Sequence, residues 1–470
     1  MAQAGWQVTL LEKHATPGGR ARQLVEDGFT FDMGPSWYWM PDVFERYFGQ
    51  FSKKVSDYYT LSRLDPSYRV YTPQAPVDIP ADYGRLEELF ESLEPGSPDK
   101  LQEFIREAAY KYRVGVGKLV FKPGLSLREF LDMEVIRGTL RLDVFTSVKK
   151  HVHKYFSHPL LRQLLEFPVL FLGALAENTP ALYSLMNYAD IIGGTWYPQG
   201  GMYRIVEGMY TLARELGVTF HFNEDVSGIQ VENGKAVSVK SSSGIFQTDV
   251  VIGSADYHFI ESSLLEKQYR SYTESYWDKR SMAPSCLLYY VGLNKRLENI
   301  RHHSLFFDVP FEAHAREIYT TRTWPADPLF YVSAPCVSDD TVAPPGCENL
   351  FILIPVAAGL QGDTQEVRDH YFERVIRRME KHTGQSILDA VIYKKSFAQS
   401  DFISQYNSYK GNAYGLANTL MQTAVLKPSM HSRKVSNLFY TGQLTVPGPG
   451  VPPSLISGEV VAREVLKRFI

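Results

Sequence analysis

Four groups of residues have the types and spacing to hold a dinucleotide. The apolar run Val8–Leu11 ends in an acid, Glu12, followed by Lys13 and, after a short gap, Gly18-Gly19-Arg20. At the end of the second strand of a doubly wound sheet, an acid accepts hydrogen bonds from ribose hydroxyls. Paired glycines admit close backbone approach, and an adjacent arginine neutralises pyrophosphate. Alone, Glu12 reads as a strand-terminal surface acid and Gly-Gly-Arg as an ordinary turn; in sequence they are far more specific. Second comes Phe29-Thr30-Phe31-Asp32-Met33-Gly34-Pro35-Ser36-Trp37, in which Asp32 by itself is a turn former and Gly34-Pro35-Ser36 a loop. Third, the strand Thr248–Ile252 runs into Gly253-Ser254-Ala255-Asp256, where Asp256 is either a cofactor-side loop residue or a helix N-cap. Fourth, the strand Asn437–Thr441 is followed by Gly442, a loop with Gly448, Gly450 and Val451, and the helix Ser454–Phe469. Strand, glycine loop and helix N-terminus form a general anion-receiving arrangement.

Other chemistries find little support. The 12 histidines are scattered; His151 and His153 are spaced so that they do not share a helix face, and His302-His303 reads as surface. The three cysteines, Cys286, Cys336 and Cys347, lack metal-finger spacing, which points to a reducing compartment and no structural metal. With 49 basic and 52 acidic residues the net charge is -3, which argues against nucleic-acid binding. The 29 Tyr, 27 Phe and 6 Trp either fill cores or line a tunnel for a flat polyene.

The elements that must position these residues are interleaved. Arg85–Leu93, Lys100–Val120 and Leu127–Phe145 show helical spacing of apolar residues, broken at Pro95, Pro98, Pro123 and Pro159. A helix over 202–217 stops at Gly217 before the strand Val218–Phe222. The runs Val226–Glu232 and Lys235–Lys240 flank Asn233-Gly234, a strong hairpin signal. Between 285 and 420, strands (Cys286–Leu293, Phe330–Ser333, Leu350–Val356) accompany one helix, Glu366–His382, which predicts an antiparallel α+β domain.

Glu12-Lys13 through Gly18-Gly19-Arg20 and Phe31-Asp32-Met33-Gly34-Pro35 resemble the phytoene desaturase family of amine-oxidase-like flavoproteins. Tyr197-Pro198-Gln199-Gly200-Gly201-Met202 with Glu207-Gly208, Asn223-Glu224-Asp225-Val226, and Asn437–Gly442 with Pro447–Pro452 extend the match along the chain. The resemblance implies FAD held by Glu12 at the ribose and by Gly19 and Arg20 towards the pyrophosphate and ribityl. It also implies adenine contact by the Val226 backbone, closure by Gly442, and a flavin-facing turn at Gly448–Val451. It implies a strand and Gly-x-Gly-x-x-Gly about two dozen residues before the ribose acid. Glu12 leaves no room for these, so the reading expects a misassigned start or a fragment that binds FAD poorly, with Met1–Trp6 as the last turn of the following helix.

The expected fold is thus α/β: an FAD-binding doubly wound (Rossmann-like) domain lacking its first strand, with an inserted α+β substrate domain and a helical segment. The cofactor domain comprises 1–83, 196–265 and 431–470; the helical region is 84–195 and the substrate domain 266–430. The expected reaction is desaturation of a C40 or related isoprenoid such as phytoene. Alternatives are a carotenoid isomerase, a retinol-saturase-like enzyme, an amine oxidase (for which no flavin-attaching cysteine is evident), or a non-catalytic carotenoid binder. No catalytic acid or base is identified; Asp190, shortly before Gly200-Gly201, is read either in that role or as an exposed or capping carboxylate. Val148–Met186 reads as an interfacial helix pair contacting a membrane or as a helical core. No run approaches the ~20 apolar residues of a membrane span. The expected location is cytoplasmic, peripheral to the inner membrane.

Overall fold

The computed structural model describes residues 1–130, 146–173 and 175–469. The expected helix Leu127–Phe145 therefore falls mostly outside the described residues.

The largest sheet has seven strands in the spatial order Val391–Phe397, Ser285–Leu293, Glu348–Val356, Phe330–Ser333, His303–Phe306, Tyr68–Tyr71 and Pro76–Ile79. Its pairings are antiparallel except Tyr68–Tyr71 with His303–Phe306, which is parallel. Ser285–Leu293 is buried along its whole length because both faces are covered. With side chains alternating across the sheet, Leu287, Tyr289, Val291 and Leu293 join a core with Tyr371, Phe372, Val375, Ile376 and Met379 of the helix Gln365–Thr383. Leu288 and Tyr290 turn the other way, into a core shared with Phe29 and Phe31. The helix is bounded as its sequence requires: the Thr364 hydroxyl accepts from the Val367 N–H, and Gly384 adopts the left-handed conformation at its end. Residues 68–79 thus sit in the sheet of the inserted domain, whereas the sequence reading placed them in the 1–83 cofactor piece. These strands are short and prolines flank them, so their partner, far along the chain, left no local signal.

The cofactor-type elements form two parallel pairs. Thr9–Leu11 pairs with Thr219–His221, and Val251–Gly253 with Leu438–Tyr440, so the start, middle and end of the chain interleave as expected. They are separate two-stranded sheets, and Leu10 and Ile252 are each 38% exposed. The hairpin Val226–Glu232/Lys235–Ser241 turns at Asn233 (φ 50°) and Gly234 (φ 73°), the two positive φ values of a type I′ turn. The termini meet: Trp6 packs edge-on against Phe469 at 6.5 Å. Arg46, in the helix Pro41–Gly49, forms a two-pronged pair with Glu459 of the last helix, Val451–Phe469.

In the helical region, Ser97–Gly115 ends earlier than the expected Val120. The short helices Val148–Tyr155 and Pro159–Glu166 turn Val148, Val152, Leu161, Leu164 and Leu165 into the main core. Their apolar faces are packed inward, as the core reading requires. Among the described residues, no helix is long and apolar enough to cross a membrane.

Candidate functional site

Glu12 stands at the end of the first strand, where its backbone carbonyl accepts from the Glu224 N–H at 2.8 Å and its carboxylate from the His14 N–H at 2.9 Å. Burial raises its pKa, against the His14 N–H, the Arg22 charge and the Lys13 N–H. Because the Asn223 N–H reaches the His14 carbonyl at 3.0 Å, the structure brings Glu12 beside the segment leading into Val226. Lys13 reaches outward to the Ser404 carbonyl.

Gly18 and Gly19 both have positive φ, and a short 3₁₀ turn carries Arg20 inward. The Arg20 guanidinium donates to the carbonyls of Asn412 (2.5 Å) and Ala413 (2.7 Å) and to the Ser408 hydroxyl (3.0 Å), and lies 3.9 Å from Asp256. Its role is therefore to fasten the N-terminal segment to the loop 408–413, with Tyr406 under its plane. Asp256 is the helix N-cap of the two readings: one carboxylate oxygen caps the turn at His258 and Phe259, and the other accepts from the Tyr409 N–H and faces Arg20. Burial raises its pKa, and Arg20 opposes this.

Asp32 defines a second corner. Its carboxylate accepts from the N–H groups of Met202 (2.7 Å) and Tyr203 (2.9 Å), so it caps the helix Tyr203–Glu215 from a distant strand. Burial pushes its pKa up to about 7 against those two donors. Asp339 takes the Gly200 N–H at 2.6 Å, so two carboxylates bracket Gly200-Gly201. Gly34 is required here because a Cβ would lie 2.6 Å from the Arg20 carbonyl oxygen. Pro35 and Ser36 then lead to Trp37, whose indole stacks on His303 at 4.2 Å between ring centres.

His302 and His303 are buried, correcting the surface assignment. Their Nδ1 atoms pair with Ser338 (2.9 Å) and the Tyr331 hydroxyl (2.7 Å). Burial lowers both pKa values, that of His302 to about 3, and keeps the imidazoles neutral. Tyr68, Phe167 and Tyr331 close around Trp37, giving a continuous aromatic wall. Asp190 is also buried rather than exposed. It accepts from the Tyr68 hydroxyl at 2.9 Å, and burial raises its pKa to about 7. Sequence could not reveal this, because Tyr68 and Asp190 are brought together only by the sheet and helix packing.

Gly442 (φ 105°), Gly448 (φ 142°) and Gly450 (φ 112°) shape the loop between the strand Leu438–Tyr440 and the helix starting at Val451. The space where a Gly442 Cβ would stand is open. A Gly448 Cβ would lie 2.9 Å from Lys427 Nζ and 3.1 Å from Asn418 Oδ1, two buried atoms with no hydrogen-bond partner in the protein. An open glycine loop beside unsatisfied buried polar atoms fits a polar group of a bound cofactor. Nothing in the sequence singled out Lys427 or Asn418. The three segments carrying Glu12, Arg20 with Asp256, and Gly442–Val451 lie at the carboxyl ends of the parallel strands, where α/β folds bind dinucleotides.

Residues 1–466 match the family of flavin containing amine oxidoreductases. The chain belongs to that family: it is an oxidoreductase with FAD as cofactor. It is 39% identical over 469 residues to a carotenoid 3,4-desaturase of Haloarcula japonica, covering 99% of this chain and 94% of the relative. It is 30% identical over 473 residues to a zeta-carotene-forming phytoene desaturase of Myxococcus xanthus, covering 99% and 90%. Among solved structures, an oxidoreductase from Methanosarcina mazei superposes with a TM-score of 0.62 at 15% identity, over 98% of this chain and 95% of that one, which shows a shared fold.

Proposed function

We infer that this chain is an FAD-dependent desaturase of carotenoid biosynthesis that acts on carbon–carbon single bonds of a long isoprenoid. The observation that carries this reading is its full-length likeness to a carotenoid 3,4-desaturase of Haloarcula japonica and a phytoene desaturase of Myxococcus xanthus. The higher identity to the carotenoid 3,4-desaturase favours a carotenoid other than phytoene as the substrate.

When bound, the flavin supplies the two-electron acceptor that oxidation of a C–C bond requires. The chain's own residues supply a binding frame and a dry interior. Glu12 offers a carboxylate at the strand end to ribose hydroxyls, and Arg20 fixes the loop 408–413 through three protein acceptors. The wall formed by Trp37, Tyr68, Phe167 and Tyr331 offers aromatic faces to a flat polyene. His302 and His303, held neutral, keep positive charge out of that wall, which suits an uncharged hydrocarbon. Asp190 positions Tyr68 from behind.

A substrate of this kind dissolves in lipid, so the reading includes peripheral attachment to the cytoplasmic face of the inner membrane; its support is the substrate's chemistry alone. Supplying the FAD-loaded protein with carotenoid in liposomes, and recording absorption spectra, tests the activity. New conjugated double bonds shift the spectrum to longer wavelength; an unchanged carotenoid contradicts it. Co-sedimentation of the protein with anionic liposomes tests the attachment.

A further inference from the structure

We propose that Lys427 and Asn418 together form a donor–acceptor pair that grips the imide edge of the bound flavin beneath the Gly448 turn. The inference rests on the FAD reading and adds to it a specific contact. Both side chains are almost fully buried, at 4% and 3% exposure, yet Lys427 Nζ and Asn418 Oδ1 have no hydrogen-bond partner. An unsatisfied buried ammonium or amide oxygen destabilises the fold, and the ammonium is driven towards its neutral form. Burial accordingly lowers the Lys427 pKa to about 7, and no carboxylate offsets it. A fold retains such a pair where a ligand completes it.

The position specifies the ligand's chemistry. Both atoms converge on Gly448, at 2.9 Å and 3.1 Å from where its Cβ would stand, so only a glycine lets the turn backbone lie this close against the pair. Gly448 belongs to the loop after the parallel strand Leu438–Tyr440 and just before the helix at Val451, on the carboxyl-end side where dinucleotides bind. An amine donates and an amide oxygen accepts. Their complement is a group with a carbonyl next to an N–H, and in FAD that is the pyrimidine imide of the ring. A cation at that edge favours the more electron-rich, reduced ring, so Lys427 raises the reduction potential as well as the affinity.

The test measures FAD affinity by fluorescence titration and the flavin's reduction potential against a reference dye, in the full chain and in K427M, K427R and N418L. K427M is expected to bind FAD at least tenfold more weakly. It is also expected to lower the ratio of reduced to oxidised binding about tenfold, which is ~30 mV for a two-electron couple. K427R retains most of both properties, and N418L loses affinity with little change in potential. K427M values within twofold of the unsubstituted protein overturn the proposal, as does a failure of the unsubstituted chain to bind FAD. If K427M does not fold by circular dichroism, N418L decides: unchanged affinity overturns the proposal. A protein with these flavin effects but no action on carotenoid would sink the desaturase reading and leave this one standing.

Discussion

The carboxylate of Asp32 caps the helix that begins at Tyr203, a contact spanning 171 residues of sequence. It joins the Asp-Met-Gly-Pro segment to Gly200-Gly201, where a Gly201 Cβ would stand 3.1 Å from the Asp32 carboxylate. Replacing Asp32 with alanine leaves the Met202 and Tyr203 N–H groups without their acceptor. D32A is expected to lose about 1–3 kcal/mol in urea unfolding. D32N, which keeps one acceptor oxygen, should lose less. Equal stability of D32A and the unsubstituted protein would contradict the capping role.

Arg20 gathers Asn412, Ala413, Ser408 and Asp256 around one guanidinium. R20M removes every one of these bonds and leaves buried Asp256 facing an apolar chain. A loss of about 3 kcal/mol follows, together with weaker FAD binding as the loop 408–413 loosens. R20K, lacking the planar fork, should recover only part of this. Denaturant unfolding and FAD titration of the two variants check it.

The glycines of the site are not equivalent. G34A drives a Cβ against the Arg20 carbonyl at 2.6 Å, so backbone must move, at a cost of about 1–3 kcal/mol. G19A meets no protein atom, so its cost to folding is the left-handed backbone penalty, about 1–2 kcal/mol. FAD affinity should fall in G34A because the displaced backbone carries Arg20. Unchanged FAD affinity and stability in G34A would contradict this geometry.

Asp190 makes stability depend on pH in an unusual direction for an acid. Its pKa rises from 3.8 to about 7 on folding, so between these values the folded protein holds a proton that the unfolded chain releases. The stabilisation is complete below the lower value and is lost as pH rises through the upper one. Relative to D190N, the unsubstituted protein should therefore lose stability as pH is raised through that window. Parallel stability–pH curves for the two would refute the assignment.

Local chemistry made much of this legible. Asn233-Gly234 specified its hairpin, the helix read at Glu366–His382 forms over Gln365–Thr383, and the acid after Val8–Leu11 marked the strand end that meets Asn223-Glu224. What stayed hidden depends on pairing between distant segments. Tyr68–Tyr71 joins His303–Phe306 across 235 residues of sequence (Arg69 to Ser304), and that strand buries the two histidines that read as surface. Lys427 and Asn418 carry no spacing signal, since their meaning comes from the turn at Gly448, 21 and 30 residues further on.

The central claim is that this flavoprotein oxidises a carotenoid. The most direct check is anaerobic mixing of the FAD-loaded protein with a C40 carotenoid in liposomes, following the flavin and polyene absorption bands together. The account predicts bleaching of the oxidised flavin band coupled to a red-shifted polyene band. A flavin band that stays oxidised while the carotenoid spectrum stays fixed would contradict it.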